Sequence, residues 1–205
     1  MSENGVREKD ARAEEAEDRA RFDRIKKMPR HWFEHSETLR LAATALWASS
    51  NRDVSDSVVR VCGLADLKRP SVFVRPVFLM LCGLSLELLV KAIFVAQRHE
   101  GPPKGHNLLK LYELVGLKIS GSEQALLDVL TGAIKWLGKY PVPIEAADLG
   151  RYVTQAFAVA LVPSGAEGTF KNSGALDWPS LDALWKKGET AYLSTLRSDP
   201  AVESQ

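Results

Sequence analysis

The sequence predicts an all-α protein, a bundle of about four main helices with additional N- and C-terminal helices. Apolar residues recur at helical spacing along most of the 205-residue chain. The segment at about 75–98 is apolar on every side, which is typical of a helix at the centre of a bundle. The sequence shows no alternating strand pattern and no internal repeat. Its length suits one domain with a core of its own.

The first half of the chain contains two core helices. Residues 1–28 mix acidic and basic side chains almost evenly, which is compatible with either a solvated helix or a disordered arm. A first core helix is expected at about 31–49, followed by a long connection at 50–71 with at most one short helix. The central helix, about 75–98, ends before the Gly101-Pro102-Pro103 break.

Shorter helices follow that break, and each has its own end signals. Asn107 is expected to cap a helix that ends at Gly116. Ser120 and Glu123 form the Ser-x-x-Glu capping box of the next helix, which Gly138 ends.

The last third of the chain adds two helices around a glycine-rich loop. A helix at about 145–161 carries an apolar stripe, and its members are Leu149, Val153, Ala156, Phe157 and Ala160. The resulting organisation is a charged N-terminal arm (1–28), a helical bundle (29–161), a Gly-rich loop (162–178) and a C-terminal helix packed on the bundle (179–197).

Composition indicates an ordinary globular protein whose net charge is too small to attract nucleic acid over the whole surface. Apolar residues make up 45%, charged residues 26%, and the net charge is +1. Any nucleic acid would therefore need a local patch. Cys62 and Cys82 lie among apolar residues and are expected to behave as small buried hydrophobes. Two cysteines cannot build a disulfide framework, so a reducing cytoplasm is the expected location.

A membrane role is not expected. The first thirty residues are densely charged and show no secretory signal. Arg75, Glu87 and Lys91 interrupt the apolar run at 72–96, and a charge at the bilayer centre costs roughly 2.5–3.5 kcal/mol. A buried core helix is the better interpretation of this run.

One charged constellation stands out against this apolar helix. Glu87 and Lys91 are spaced i,i+4 in the favourable order. They form either an ion pair on the most solvated side of the helix or a buried pair that faces a groove. His106 would be the third member, because the Gly-Pro loop returns the chain towards the same helix. The alternative for His106 is a structural role, in which it either caps the next helix or forms a hydrogen bond with Glu87.

A second candidate is the Lys139-Tyr140 pair at the end of the capping-box helix. A cation beside an aromatic ring can meet a phosphate and a base. The alternative is a rigid turn in which Tyr140 anchors packing and Lys139 faces the helix C-terminus. The sequence offers no phosphate-cradling loop and no metal-ligand cluster, so no cofactor is predicted.

Three segments carry a pattern shared with known proteins, reading GLSLELLVKA at 83–92, GHNL at 105–108 and WLGKYP at 136–141. Together they resemble the HEPN-type helical domain family. That family comprises bundles of four to five helices, many of them associated with RNA, nucleotides, or defence and toxin systems. The resemblance covers about residues 75–143 and implies a HEPN-like bundle.

The resemblance also implies a test for catalysis. Active HEPN ribonucleases dimerise and pair two copies of an Arg-x(4–6)-His motif on a late helix. This chain has no histidine after His106, so the motif is missing at that place. Arg30 and His35 have the spacing, but they lie on the first core helix, where a spacing hit alone is weak.

The first hypothesis is therefore a non-catalytic HEPN-like module that binds RNA, nucleotide or a protein partner. A homodimer in a bacterial defence or toxin–antitoxin system is expected, with a neighbouring nucleotidyltransferase, toxin or antitoxin as a further partner. The first alternative is a metal-independent endoribonuclease that acts as a dimer through Arg30 and His35, or through His106. The second is an oligomeric scaffold without nucleic acid, with the apolar helix at 77–96 as its interface.

Overall fold

The computed structural model describes residues 3–49, 52–63, 70–140, 142–165 and 168–198. Eight helices and one small antiparallel β-hairpin make up this part of the chain, which confirms the all-α prediction. The helices are α1 Glu3–Lys26, α2 Pro29–Ala48, α3 Arg52–Val61, α4 Pro70–Arg98, α5 Leu108–Leu114, α6 Gly121–Gly132, α7 Ala146–Ala160 and α8 Trp178–Ser198. A π-helical turn, Ala133–Leu137, continues α6.

Helix α4 is the central element of the bundle, as its apolar sequence predicts. It packs against α2, α5, α6, the π-helical turn and α8, and Leu89, Val90 and Ile93 are fully buried. It begins at Pro70, five residues before the predicted start, because proline suits the first helical position. By length and composition α4 could cross a membrane, but 67% of that apolar window is buried within the protein.

The predicted end signals of the short helices are confirmed. The Asn107 side chain accepts a hydrogen bond from the Lys110 amide. Ser120 and Glu123 form the reciprocal capping box at the start of α6. Of the two alternatives for the N-terminal arm, the structure shows the solvated helix. Residues 3–26 form α1, and the side chains at 12–27 are exposed.

A buried polar network ties three helices together. The Ser36 hydroxyl on α2 donates to the Ser85 carbonyl on α4 (2.8 Å) and accepts from Trp185 Nε1 on α8 (2.9 Å). The Ser85 hydroxyl in turn donates a hydrogen bond to the Ser36 carbonyl at 2.7 Å. Buried polar groups must be paired to be tolerated, and these three satisfy one another.

Three details of the sequence prediction are wrong. The loop at 162–178 contains part of a hairpin, in which Leu161–Pro163 pairs with Phe170–Asn172, and these strands are too short to show an alternating pattern. Cys62 is exposed, and only Cys82 is buried. The predicted α7 stripe does not face the core as a whole: Leu149 (39%), Val153 (41%) and Phe157 (60%) are exposed, and only its two alanines pack inward.

The inward face of α7 lies to one side of the predicted stripe and shares its two alanines with it. Tyr152, Ala156, Val159 and Ala160 pack against the core, at the i, i+4, i+7 and i+8 positions of a helical face. The sequence favours the more apolar stripe, whereas the structure half-buries a face whose one large member is a tyrosine. Helix α7 therefore keeps an exposed apolar surface.

Acidification should weaken the contact between α8 and α2. Burial would raise the pKa of the Asp182 carboxyl, but hydrogen bonds and charges from Lys186 and Arg40 outweigh it and hold the pKa below its ordinary value. The unfolded state then binds more protons than the folded state, so this contribution is complete above pH 3.8 and is lost as the pH falls through the lower folded pKa. Urea unfolding at pH 7 and pH 3 measures how much free energy of unfolding is lost on acidification. Asp182→Asn should show a shallower pH dependence, and an unchanged slope would contradict this reason.

Tyr112 offers a test of an unpaired buried hydroxyl. Its side chain is fully buried on α5, and its Oη finds no hydrogen-bond partner among the described residues. Burial raises the pKa of this phenol, so it stays protonated. An unsatisfied buried hydroxyl costs about 1–3 kcal/mol, so Tyr112→Phe should leave the free energy of unfolding unchanged or raise it by about 1 kcal/mol. A loss of that size in urea unfolding would reveal a partner for the hydroxyl.

Candidate functional site

Glu87, Lys91 and His106 lie together, as expected if the Gly-Pro loop returns the chain towards α4. Lys91 Nζ donates to Glu87 Oε1 at 2.6 Å, and His106 Nδ1 lies 2.9 Å from Glu87 Oε2. Glu87 is 3% exposed and Lys91 is 9% exposed. The interpretation of this pair as lying on the solvated side of α4 is therefore wrong, and the carboxylate is a buried hub with two partners.

The hub fixes the orientation of the histidine. An ionised carboxylate can only accept, so the tautomer that fits this contact is the one in which His106 Nδ1 donates to Glu87. The His106 side chain remains 57% exposed although its partner is buried. This ring is therefore held on one side by Glu87 while the rest of it is open to solvent.

The residues after His106 are fixed to two further helices. Asn107 caps α5, and the Leu108 amide donates to Thr131 Oγ1 on α6 at 3.1 Å. With the Glu87 contact, three successive residues are tied to α4, α5 and α6. The end of the loop between α4 and α5 is thus fixed at the edge of the surface beside it.

A groove of about 290 Å³ begins at that edge, and we call it the aromatic groove. It lies between α6 with its π-helical turn on one side and α7 on the other. The residues that line it include Asn107, Asp128, Thr131, Lys135, Trp136, Tyr140, Asp148, Arg151, Tyr152 and Gln155. Its walls therefore combine aromatic rings, two cations, two carboxylates and two amides.

The aromatic walls are well defined. Trp136 and Tyr152 contact edge to face, with ring centroids 5.3 Å apart at 76°. Helix α7 comes close to α6 because position 132 is glycine: a Cβ there would lie 2.5 Å from the Tyr152 ring. Tyr140 is 58% exposed at the rim, whereas Lys139 is exposed but does not line the groove.

The cations of the groove are accessible. Arg151 Nη1 lies 3.4 Å from Asp148 Oδ1, a long and solvent-exposed pairing. Such pairs contribute little, so the guanidinium can turn to another anion. Lys135 is exposed on the π-helical turn and has no ion pair within the described part of the chain.

The alternative catalytic pair is not assembled. Arg30 Nε bonds Glu34 Oε1 at 2.6 Å, one helical turn away. Positions five residues apart on a helix point about 140° from each other, so Arg30 and His35 leave α2 in different directions. The side chain of Arg30 is 84% exposed, and His35 is exposed as well. Within one chain these two residues form no joint site.

Sequence reasoning missed most of the aromatic groove. Lys135 and Trp136 adjoin the predicted Lys139-Tyr140 pair, and they stand on a π-helical turn of the kind often found at functional sites. Arg151 and Tyr152 lie on α7, whose sequence pattern favours the neighbouring apolar stripe. The one available signal was the density of aromatic and basic residues at 135–140.

Other site classes find no support in the described residues. No group of three or more His, Cys, Asp or Glu side chains there could hold a metal ion. Comparison with known proteins adds no relative: no family model, no curated protein and no solved structure matches the chain.

Proposed function

We propose that this chain is a non-catalytic HEPN-like helical module that binds single-stranded RNA or a nucleotide in the aromatic groove. The observation that carries the proposal is the groove itself, with aromatic rings, exposed cations, two carboxylates and amides around one space of about 290 Å³. The volume is close to the lower limit for small-ligand sites. It suits one nucleotide unit of a strand.

The chemistry of the walls matches the parts of a nucleotide. A base can stack on the exposed Tyr140 ring, and base–aromatic stacking is worth about 1–3 kcal/mol. Lys135 and Arg151 can meet the phosphate, and Arg151 suits a bidentate contact. The Asn107 and Gln155 amides offer donors and acceptors to a base edge. The hub of Glu87, Lys91 and His106 keeps the Asn107 edge in place.

The HEPN-like assignment also rests on the sequence segments and on the central helix that carries the Glu87–Lys91 pair. The missing late Arg-x(4–6)-His motif supports a module without catalysis. The endoribonuclease alternative keeps His106, whose exposed ring is oriented by a buried carboxylate, as its best candidate. RNA cleavage that depends on His106 or His35 would favour it.

A second copy of the chain is the proposed partner of the exposed α7 stripe. The scaffold alternative placed the oligomer interface on the apolar helix at 77–96, but the core buries most of that helix. Leu149, Val153 and Phe157 repeat every four residues around Val153, so an antiparallel copy of α7 would align Leu149 with Phe157. Light scattering at micromolar concentration tests this proposal, and a monomer would contradict it.

The proposed setting is a cytoplasmic defence or toxin–antitoxin system, with a neighbouring nucleotidyltransferase, toxin or antitoxin as a further partner.

Binding of a labelled single-stranded RNA, followed by fluorescence anisotropy, tests the groove. Tyr140→Ala should weaken binding by about 5- to 150-fold, the equivalent of one lost stacking contact. Arg151→Gln should weaken binding to all sequences and reduce the salt slope by about 1. AMP and GMP added as competitors show whether one nucleotide is enough.

The hairpin supplies matched controls. Phe170 is 62% exposed, close to the exposure of Tyr140, but it lies on the hairpin outside the groove. Phe170→Ala and Lys171→Gln should therefore leave RNA affinity unchanged. Equal losses in Tyr140→Ala and Phe170→Ala would contradict the groove as the binding site, and so would the absence of binding in the wild type.

A further inference from the structure

A second space, a shallow cleft open to solvent, lies beside the aromatic groove, and we call it the apolar cavity. It has a volume of about 310 Å³ and lies between the start of α4, the end of the π-helical turn and the C-terminal half of α7. The described side chains that line it are Arg75, Pro76, Leu79, Leu137, Tyr152, Ala156, Phe157, Ala160, Leu161 and Leu176. Tyr152 also lines the aromatic groove and separates the two spaces.

The lining is apolar with one polar end. Arg75 is the one charged side chain among the described residues of the cavity, and Tyr152 contributes the one hydroxyl. An apolar cavity with a few convergent polar groups is the usual form of a small-molecule site. Here both polar groups are hydrogen-bond donors, and the described lining includes no carboxylate.

Arg75 is available to a ligand. Its Nη2 lies 3.4 Å from Asp177 Oδ1, and its side chain is 38% exposed. Among the described residues this long contact is the one ion pair of Arg75, and it occupies little of a guanidinium that has five N–H donors. Burial raises the pKa of Tyr152 to about 12, against a smaller opposite effect of the Arg75 charge. The phenol therefore keeps its proton as a donor close to the guanidinium.

We propose that the apolar cavity binds a small amphiphilic carboxylate. The carboxylate accepts hydrogen bonds from Arg75 and from the Tyr152 hydroxyl, and the hydrocarbon body lies against the aliphatic walls. Charge complementarity selects this occupant, because an amphiphilic amine would be repelled by the Arg75 cation and an alcohol would bring no negative charge to it. A volume of about 310 Å³ lies at the lower end of the range for small-molecule sites, so we expect a short hydrocarbon body such as that of octanoate.

Titration calorimetry with sodium octanoate tests the site on the full chain, with octylamine and 1-octanol as matched probes. Octanoate should bind with one site per chain, and the two other probes should bind at least about tenfold more weakly, because each lacks the charge-assisted hydrogen bonds. Arg75→Gln should weaken octanoate binding by about tenfold or more for the same reason. Asp177→Asn should strengthen it, because the competing carboxylate is removed.

Opposite shifts in Arg75→Gln and Asp177→Asn cannot both come from a loss of folding, and thermal melting of each variant checks the fold. Tyr140→Ala, a variant of the aromatic groove, should bind octanoate as the wild type does, so failure of the RNA proposal leaves this one standing. Octanoate that binds Arg75→Gln equally well would overturn it, as would octylamine that binds equally well. A stable dimer by light scattering that takes up no octanoate would show that a second copy covers the cavity, and would also overturn it.

Discussion

Glu87→Ala should lower the free energy of unfolding by about 3–5 kcal/mol, the usual cost of removing one partner from a buried ion pair. Stability is lost because the hydrogen-bond partners of Glu87 remain in place without the carboxylate. Lys91 is 9% exposed and donates to Glu87, and His106 Nδ1 also depends on that carboxylate. Most domains have only about 5–15 kcal/mol of stability in total, so this one substitution removes a large share of it.

The chain contains its own control for this prediction. Arg30 and Glu34 form another i,i+4 ion pair at the same 2.6 Å distance, but their side chains are 84% and 48% exposed. Glu34→Ala should therefore change stability by no more than about 0.5 kcal/mol. Urea unfolding followed by circular dichroism measures both variants. Equal losses would contradict a buried hub at Glu87.

A double variant separates the charge from the packing. Replacing Glu87 and Lys91 together by leucine removes both buried charges, and such replacements of buried pairs are often neutral or stabilising. Most of the stability lost in Glu87→Ala should therefore return in Glu87→Leu/Lys91→Leu. A double variant as unstable as the single one would show that the helix depends on the side-chain shapes and not on the pairing.

Trp185→Ala should cost about 3–5 kcal/mol, the range for truncating a large buried aromatic residue. Trp185 is 2% exposed and lies where α8 meets α2 and α4. Its ring faces the Arg40 guanidinium at 4.0 Å, and its Nε1 donates to Ser36. The substitution removes all three contributions to the packing of α8. Thermal and urea unfolding should report the loss in one transition.

The hydrogen bond can be isolated by a double-mutant cycle. Ser36→Ala leaves the Trp185 Nε1 donor buried without a partner, which should cost about 1–3 kcal/mol. Trp185→Phe removes that donor, so the two losses should be non-additive in Ser36→Ala/Trp185→Phe. Additive losses would show that the 2.9 Å contact contributes nothing to stability.

The helices could be predicted well because their signals are local. The capping box at Ser120 and the cap at Asn107 are set by neighbours three residues away. The burial of α4 follows from its composition alone, since few polar side chains interrupt it. The Glu87–Lys91 pairing is also local, because i,i+4 residues share a helix face.

The tertiary features could not be predicted in this way. Which of two stripes α7 buries depends on the close approach at Gly132, where the Tyr152 ring lies against the glycine. The sequence preferred the stripe with Val153 and Phe157, since it was more apolar. The aromatic groove arises only once α7 lies beside the π-helical turn, so Arg151 gave no signal along the chain.

Photo-cross-linking of a 4-thiouridine-labelled single-stranded RNA to the full chain, in EDTA, tests the proposed function most directly. Peptide mapping locates the adduct, and a denaturing gel of the same sample reports the length of the RNA. A module that binds in the aromatic groove should give adducts between Trp136 and Tyr152 and leave the RNA intact. Adducts confined to other segments would contradict the groove, and RNA cleavage lost in His106→Ala or His35→Ala would show that the chain is an enzyme.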